Sequence, residues 1–409
     1  MPAEKFSPRF SEGYSDAYSM TDMLQDIRVV EFSDGCSAAF CGRLFARLGA
    51  NVLLVERPRS GSAVRWEPPF LDDLPGVERG GLFMYTASGK RSLTLDPISP
   101  DGAAILRRLL ERADVLIDDR ELSASSAPAE DVNPRLVRLA FRHFTLGGPY
   151  EKWLATELQL AALGGWAAQL GQPRRTPLVS NSRTMTAFVP GVVGAIAALA
   201  AVRGAREQGR GRRIDVAAQE AMVFTTRFNE TFLSYTGYEI KRAGDKFAGW
   251  AAYRTFKAAD GDVTAAAATD AQIEKLMEVA GVDDPRFKTR KDREARIDEF
   301  GVEIGRWTAA HSRDEIFKRC QEARVPMGKV NRIDEIAAME QVQARGFFEE
   351  IDHPVAGCRR FPGGPAKFSG EWPRPRRAPL LGEHTSEILI DELGYAAADL
   401  ATLAELGVI

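Results

Sequence analysis

The chain is short of the residues on which much enzyme chemistry leans. Its 409 residues include four histidines (His143, His311, His353, His384) and four cysteines (Cys36, Cys41, Cys320, Cys358). So few scattered cysteines exclude a disulfide framework. Cys36 and Cys41 are close together but have no second Cys/His pair nearby, so no metal site is expected and the thiols read as reduced and mostly buried. Ser–His and Cys–His nucleophiles need an imidazole in reach. His143, ahead of a glycine turn, is a candidate to border a cleft against the plainer reading of an ordinary surface or satisfied histidine, and His384 reads as structural.

Other absences narrow the field further. No Gly-x-x-x-x-Gly-Lys-Ser/Thr loop is present, which excludes P-loop phosphoryl transfer. The first βα turn, Ser33-Asp34-Gly35-Cys36-Ser37-Ala38, has one glycine where a dinucleotide turn needs three, so NAD and FAD are not expected even though Glu56 ends the second strand. The net charge of -3, with both signs interspersed, offers nothing to nucleic acid or to an anionic membrane. The longest apolar run, Ala187 to Val202, is interrupted by Pro190 and falls short of the ~20 residues that span a bilayer. It reads as a buried helix. Met1 to Thr21 lacks a signal-peptide pattern, so a cytoplasmic protein is expected.

What remains is ordinary globular composition, 44% hydrophobic and 27% charged, at a length that favours two domains. β-branched runs at residues 27–32, 51–56, 91–96, 114–117, 136–141 and 212–217 read as strands. Small-residue or amphipathic stretches at 38–48 and 100–112 read as helices between them, with Pro100 in a first turn. Strand–helix–strand repetition implies an α/β fold with a parallel sheet. A long helix is expected from about Gln219 to Tyr235. After Gly237 the composition changes: a hairpin turning at Asp260-Gly261 precedes helices with charged faces and a connector strand at Val325 to Val330. The expected organisation is an N-terminal extension (1–26), a large domain in two parts (27–227 and 329–409) and a smaller α+β domain (228–328).

Several ordered motifs point the same way. They are Leu48-Gly49-Ala50-Asn51-Val52 with Val55-Glu56-Arg57-Pro58, Gly89-Lys90-Arg91-Ser92-Leu93-Thr94-Leu95-Asp96, Ala113-Asp114-Val115-Leu116-Ile117, Asn133-Pro134-Arg135-Leu136-Val137, Gly148-Pro149-Tyr150, Gly209-Arg210-Gly211 and Ala378-Pro379-Leu380-Leu381-Gly382-Glu383-His384-Thr385. As a set, residues 27 to 409 resemble the class III CoA-transferases, a family that includes α-methylacyl-CoA racemases. The resemblance implies a Rossmann-like large domain built from both chain ends, a small domain, and two subunits interlocked like chain links. It implies coenzyme A and acyl-CoA as substrates rather than permanently bound cofactors, with a carboxylic acid as the other substrate. Gly35, Arg57, Leu95 and Arg120 then become the CoA-binding candidates. By composition alone, Arg57, Arg59, Arg65, Lys90 and Arg91 read as solvated charge.

The resemblance also exposes a gap. Family chemistry runs through an Asp ahead of the apolar helix, which attacks the thioester and later carries CoA. Here the segment Pro177 to Thr186 has no acid, and the position falls on Thr184; slips of one or two residues reach Arg183, Thr186 or Ser182. The nearest candidate acid is Glu157, which also reads as a helix N-terminal acid favoured by the macrodipole. Glu-Asn-Phe after the fourth strand is replaced by Asp118-Asp119-Arg120, whose acids repel phosphate unless Arg120 offsets them. Lys246-Phe247-Ala248-Gly249-Trp250 replaces a glycine loop, and Ala155-Thr156-Glu157 stands where a racemase needs His-Asp. Three readings follow. The chain is the non-nucleophilic subunit of a heteromer like the benzylsuccinate CoA-transferases, or a self-sufficient (homodimeric) enzyme using Glu157, or a non-catalytic acyl-CoA-binding protein. Trp66, Phe70, Phe83, Trp166 and Trp250 favour an aromatic or bulky acid.

Overall fold

Six short runs of Val, Ile, Leu and Phe supply the frame. The computed structural model describes residues 23–120, 132–178, 182–247, 250–364, 366–368 and 376–409, without the side chains of 182–184, 227 and 228. Most of the expected N-terminal extension, Ser180-Asn181 and Ala248-Gly249 therefore lie outside the described residues, as does the side chain of Thr184. Contacts divide the chain into two compact units. The first holds residues 1–164, 181–225 and 344–409; the second holds 165–180 and 226–343. The second unit thus takes in residues 165–180, 226–227 and 329–343 as well as the whole stretch 228–328.

In the first unit β1 (Arg28–Phe32), β2 (Asn51–Glu56), β3 (Arg91–Thr94), β4 (Val115–Asp118), β5 (Val137–Arg142) and β6 (Arg213–Ala217) form one sheet, ordered β3-β2-β1-β4-β5-β6 and parallel throughout. Parallel strands need helical crossovers, so both faces are covered and nearly every central position is apolar. Alternate residues divide between the faces. Val29, Val52, Val115 and Ile117 pack on one side; Val30, Val55, Leu93 and Leu116 pack on the other.

The first face is covered by α1 (Cys36–Arg47), while α2 (Gly81–Thr86) lies beside it. On the opposite face is α3 (Pro100–Leu110), started by Ser99, whose hydroxyl accepts the Gly102 N–H, and by Pro100 at the first helical position. A short α4 (Glu157–Leu163) precedes α5 (Ser182–Gln208), the apolar helix, which lies against α1 and β5. Glycines set that approach: a Cβ at Gly191 would sit 2.8 Å from the Ser37 carbonyl oxygen, and one at Gly194 2.5 Å from the Phe141 ring. The helix is longer than the apolar run alone indicated. Its span Met185–Gln208 is long and apolar enough to cross a membrane, but Ala195, Ala198, Val202 and Ala205 are buried against the sheet.

All six strands come from residues 28–217. The C-terminal end completes the same unit by packing Ile388, Leu389, Leu393 and Leu403 onto the α3 face. Its motif Leu381 to Thr385 is structural: the His384 N–H donates to the Ser92 carbonyl, the Ser92 N–H to His384 Nδ1, and the Gly382 N–H to Ser92 Oγ. The long helix expected from Gln219 is two helices, Ala218–Thr225 and Arg227–Thr236. Thr225 Oγ1 bonds back to the Met222 carbonyl at the break, a competition that bends or ends helices.

The second unit carries an antiparallel sheet of β7 (Ala252–Ala258), β8 (Gly261–Ala267) and β9 (Met327–Lys329) around its own core of Phe256, Phe287, Phe300 and Ile304. Its hairpin turns at Ala259-Asp260, one residue earlier than the sequence indicated, since Gly261 is already paired with Ala258, and the Asp260 carboxylate accepts the Arg313 N–H.

Candidate active site

Strand order locates the site. Connections from β1 run one way across the sheet and those from β4 the other, and the crevice at such a reversal is where open α/β sheets hold ligands. The loops after β1 and β4 form one wall of a cleft of ≈ 870 Å³. The same cleft is lined by Phe141 to His143 at the end of β5, the segment Glu151 to Thr156, Glu157 and Leu160 of α4, and Thr186 and Ala187 of α5.

At the first wall, Asp34 is clamped. Both its oxygens accept from the Arg57 guanidinium, the Ala63 N–H donates to Oδ1 at 2.9 Å, and Arg120 Nε lies 3.0 Å from Oδ2. Burial alone would raise this carboxyl, but the Arg57 hydrogen bonds and the Arg120 charge outweigh it and hold its pKa below the usual range. Arg120 also donates to the Ser33 carbonyl at 3.3 Å, and burial pulls its own pKa down.

Asp119 is the anion without such a clamp. Its carboxylate accepts the backbone N–H groups of Asp34 (2.8 Å) and Gly35 (2.6 Å). Removal from water, reinforced by the Asp34 charge, outweighs these bonds and the Arg120 charge, pushing its pKa up to about 7. Asp118 turns the other way and accepts from Arg138 at 3.1 Å. The two acids expected to act together on phosphate are thus separated.

Gly35, Arg120 and Glu157 line the cleft, and Arg57 reaches its edge through Asp34. Leu95 does not line it; its side chain is wholly buried in the core over α3. Glu157 is half-buried as the first residue of α4, where Gln159 accepts the Thr156 N–H. His143 lines the same cleft, its Nδ1 accepting the Ala155 N–H at 3.4 Å, which leaves the proton of the neutral ring on Nε2. Thr184 lies in the first turn of α5, and Thr186, two residues on, is buried at the cleft wall. Trp66, Phe70 and Phe83 do not line this cleft, whose aromatic rings are Phe141 and Trp153, and Trp166 and Trp250 belong to the second unit.

Two of the basic residues read as solvated charge are the reverse. Arg65 is fully buried, bonded to Glu56 by Nε and Nη2, to Glu78 by Nη1 and stacked on Phe83. Lys90 is buried against Glu31, to which its Nζ donates at 2.7 Å, and burial depresses its pKa while raising that of Glu31. Arg91 pairs with Glu387 and Glu392. Sequence reading missed Asp34, because the reason it matters is the strand order that brings the β1 and β4 turns together. Its position directly ahead of the single turn glycine was the available signal.

Residues 24–385 match the family model described as CoA-transferase family III. The formyl-CoA:oxalate CoA-transferase of Rhodopseudomonas palustris (strain TIE-1) is 29% identical over 420 residues, covering 95% of this chain and 97% of that protein. The succinate–glutarate CoA-transferase of Agrobacterium fabrum is 29% identical over 396 residues, covering 91% and 98%. A crystal structure of a CaiB/BaiF family protein from Brucella suis is similar with a TM-score of 0.79 at 27% identity, covering 90% of this chain and 98% of that one. The chain belongs to CoA-transferase family III.

Proposed function

We propose that this family III chain is the non-nucleophilic subunit of a CoA-transferase, moving CoA between organic acids beside a homologous subunit that supplies an aspartate. The observation that carries the reading is the missing acid: residues 177–186 contain no Asp or Glu. The transfer needs one group that takes the acyl part and then CoA. An ionised carboxylate does both. It attacks the thioester carbonyl and expels CoA thiolate, leaving a mixed anhydride; the thiolate then attacks the enzyme carbonyl, forming an enzyme thioester and releasing the donor carboxylate, and the acceptor acid takes CoA by the reverse of these steps. A threonine hydroxyl needs a base, and its ester does not readily exchange with a thiol.

An exposed apolar stripe supports a homologous partner. Met185, Val192 and Ile196 lie at spacings of seven and four on α5, which places them on one helical face, and each is exposed. The proposed assembly is an interlocked pair in the cytoplasm, with acyl-CoA and a carboxylic acid as substrates and no resident cofactor. Substrate pairs to test are those in the relatives' names, formyl-CoA with oxalate and the succinate–glutarate pair.

Purification of the tagged chain from its own cells tests the reading. The expected result is co-purification of a homologous chain with Asp at the Thr184 position, and CoA transfer only when both are present. A pure chain that transfers CoA alone overturns it. Hydroxylamine or borohydride trapping of that active chain then decides whether Glu157, on the cleft wall, carries the acyl group. Tight CoA binding with no exchange in either preparation would identify a binding protein.

A further inference from the structure

The first βα turn is built to hold an anion. The N–H groups of Asp34 and Gly35 converge there, just ahead of α1, and converging backbone N–H groups of this kind favour negative charge. In this chain that place is taken by one of its own carboxylates. Asp119 accepts both N–H groups, and the missing side chain of Gly35 permits it: a Cβ there would lie 2.9 Å from Asp119 Oδ2. The nearby arginines are committed as well, since Arg57 and Arg120 both face Asp34. Two cations and two carboxylates therefore cancel when Asp119 is ionised and leave one positive charge when it is protonated.

We propose that Asp119 governs which ligands this cleft accepts, by occupying the anion seat that a phosphate of coenzyme A takes only when Asp119 holds a proton. The inference rests on the CoA-binding reading of the cleft. A phosphate entering beside an ionised Asp119 meets a like charge and finds both N–H donors taken; beside the neutral acid it meets a net positive site and donors that are weakly held. The groups facing Asp119 are Asp34 from the first turn, Arg57 beyond the end of β2 and its neighbour Arg120. Arg142, His143, Glu151, Lys152 and Glu157 line the same cleft. Its pKa of about 7 puts the switch in a range open to experiment.

Calorimetric titration with coenzyme A between pH 6 and 8.5, in buffers of different ionisation enthalpy, provides the test. For the wild type, affinity is expected to fall by roughly tenfold per pH unit above 7, with about one proton taken up on binding. D119N and D119A, shown to be folded by circular dichroism, are expected to bind without that proton and roughly thirtyfold more tightly than the wild type at pH 8.5. Pantetheine, which has no phosphate, should show no such slope with any of the three proteins. A wild-type slope as flat as that of D119N, or the same slope with pantetheine, overturns the proposal while leaving CoA binding intact. Failure of all three proteins to bind coenzyme A at any pH overturns it together with the CoA-binding reading.

Discussion

Glu56 and Arg57 are neighbours at the end of β2, yet they belong to two clusters with opposite characters. Glu56 is fully buried and accepts from Arg65 Nε and Nη2, Ser92 Oγ and the Ser62 N–H. Arg65 in turn reaches Glu78 and the Pro379 carbonyl, and Ser92 accepts from Gly382. That cluster is closed: every group has a partner, and together they fasten the C-terminal segment to β2 and β3. One residue later, Arg57 is half exposed and faces Asp34 at the cleft, beside an Asp119 that is held by two backbone N–H groups and whose pKa is raised despite the Arg120 charge. The same chemistry, Arg against carboxylate at a strand end, serves cohesion where it is satisfied and ligand selection where it is left open.

The sharpest way to break the comparison is within the closed cluster. R65A leaves Glu56 as a buried carboxylate with no cation against it, and E56A strips buried Arg65 of its bidentate partner and leaves it paired with Glu78 alone. Either is expected to cost about 3–5 kcal/mol in denaturant unfolding. Replacing both with apolar residues of similar volume should recover much of that loss, because the cost lies in the unpaired charge. If each single variant costs less than about 1 kcal/mol, the cluster does not hold the C-terminal segment.

The sequence disclosed the fold better than the charges. Val29, Leu53 and Leu116 sit in apolar runs whose period and length name strands directly, and βαβ repetition implies a parallel sheet. Strand order is a different kind of fact. Nothing local to Ser33-Asp34-Gly35 or Asp118-Asp119-Arg120 says that β1 and β4 are adjacent, so the meeting of Asp34, Asp119 and Arg120 was not legible. Arg65 and Lys90 were misread for the same reason, since their partners Glu56 and Glu31 lie across strands or turns. The loss of the acid near Thr184 was legible because it needs no geometry, only a motif to be absent from.

A smaller effect separates the open cluster from the closed one. An acid whose folded pKa is raised from 3.8 to about 7 adds stability that is fully present below 3.8 and lost as pH rises through 7. Wild-type stability should therefore decline between pH 4 and 7 relative to D119N, by on the order of 1–2 kcal/mol, since Asp119 is only partly withdrawn from solvent where it lines the cleft. Denaturant melts at several pH values read this directly. A difference that is the same at pH 4 and pH 8 would mean that Asp119 is ionised throughout.

The smallest effect is expected at Arg57 itself. The pair with Asp34 is bidentate but half exposed, so R57A should change stability by less than about 1 kcal/mol. Its consequence lies in charge. Without Arg57, Asp34 keeps Arg120 and the Ala63 N–H but loses the hydrogen bonds that most strongly lower its pKa, so that pKa should rise toward the ordinary carboxylate value. The wall then carries one cation against two carboxylates, and coenzyme A binding should weaken at every pH above the Asp34 titration. R57A in the D119N background separates the two terms: with Asp119 neutral, the loss of Arg57 should still weaken binding but leave it flat between pH 6 and 8.5. A slope in that double variant would assign the proton to a group other than Asp119.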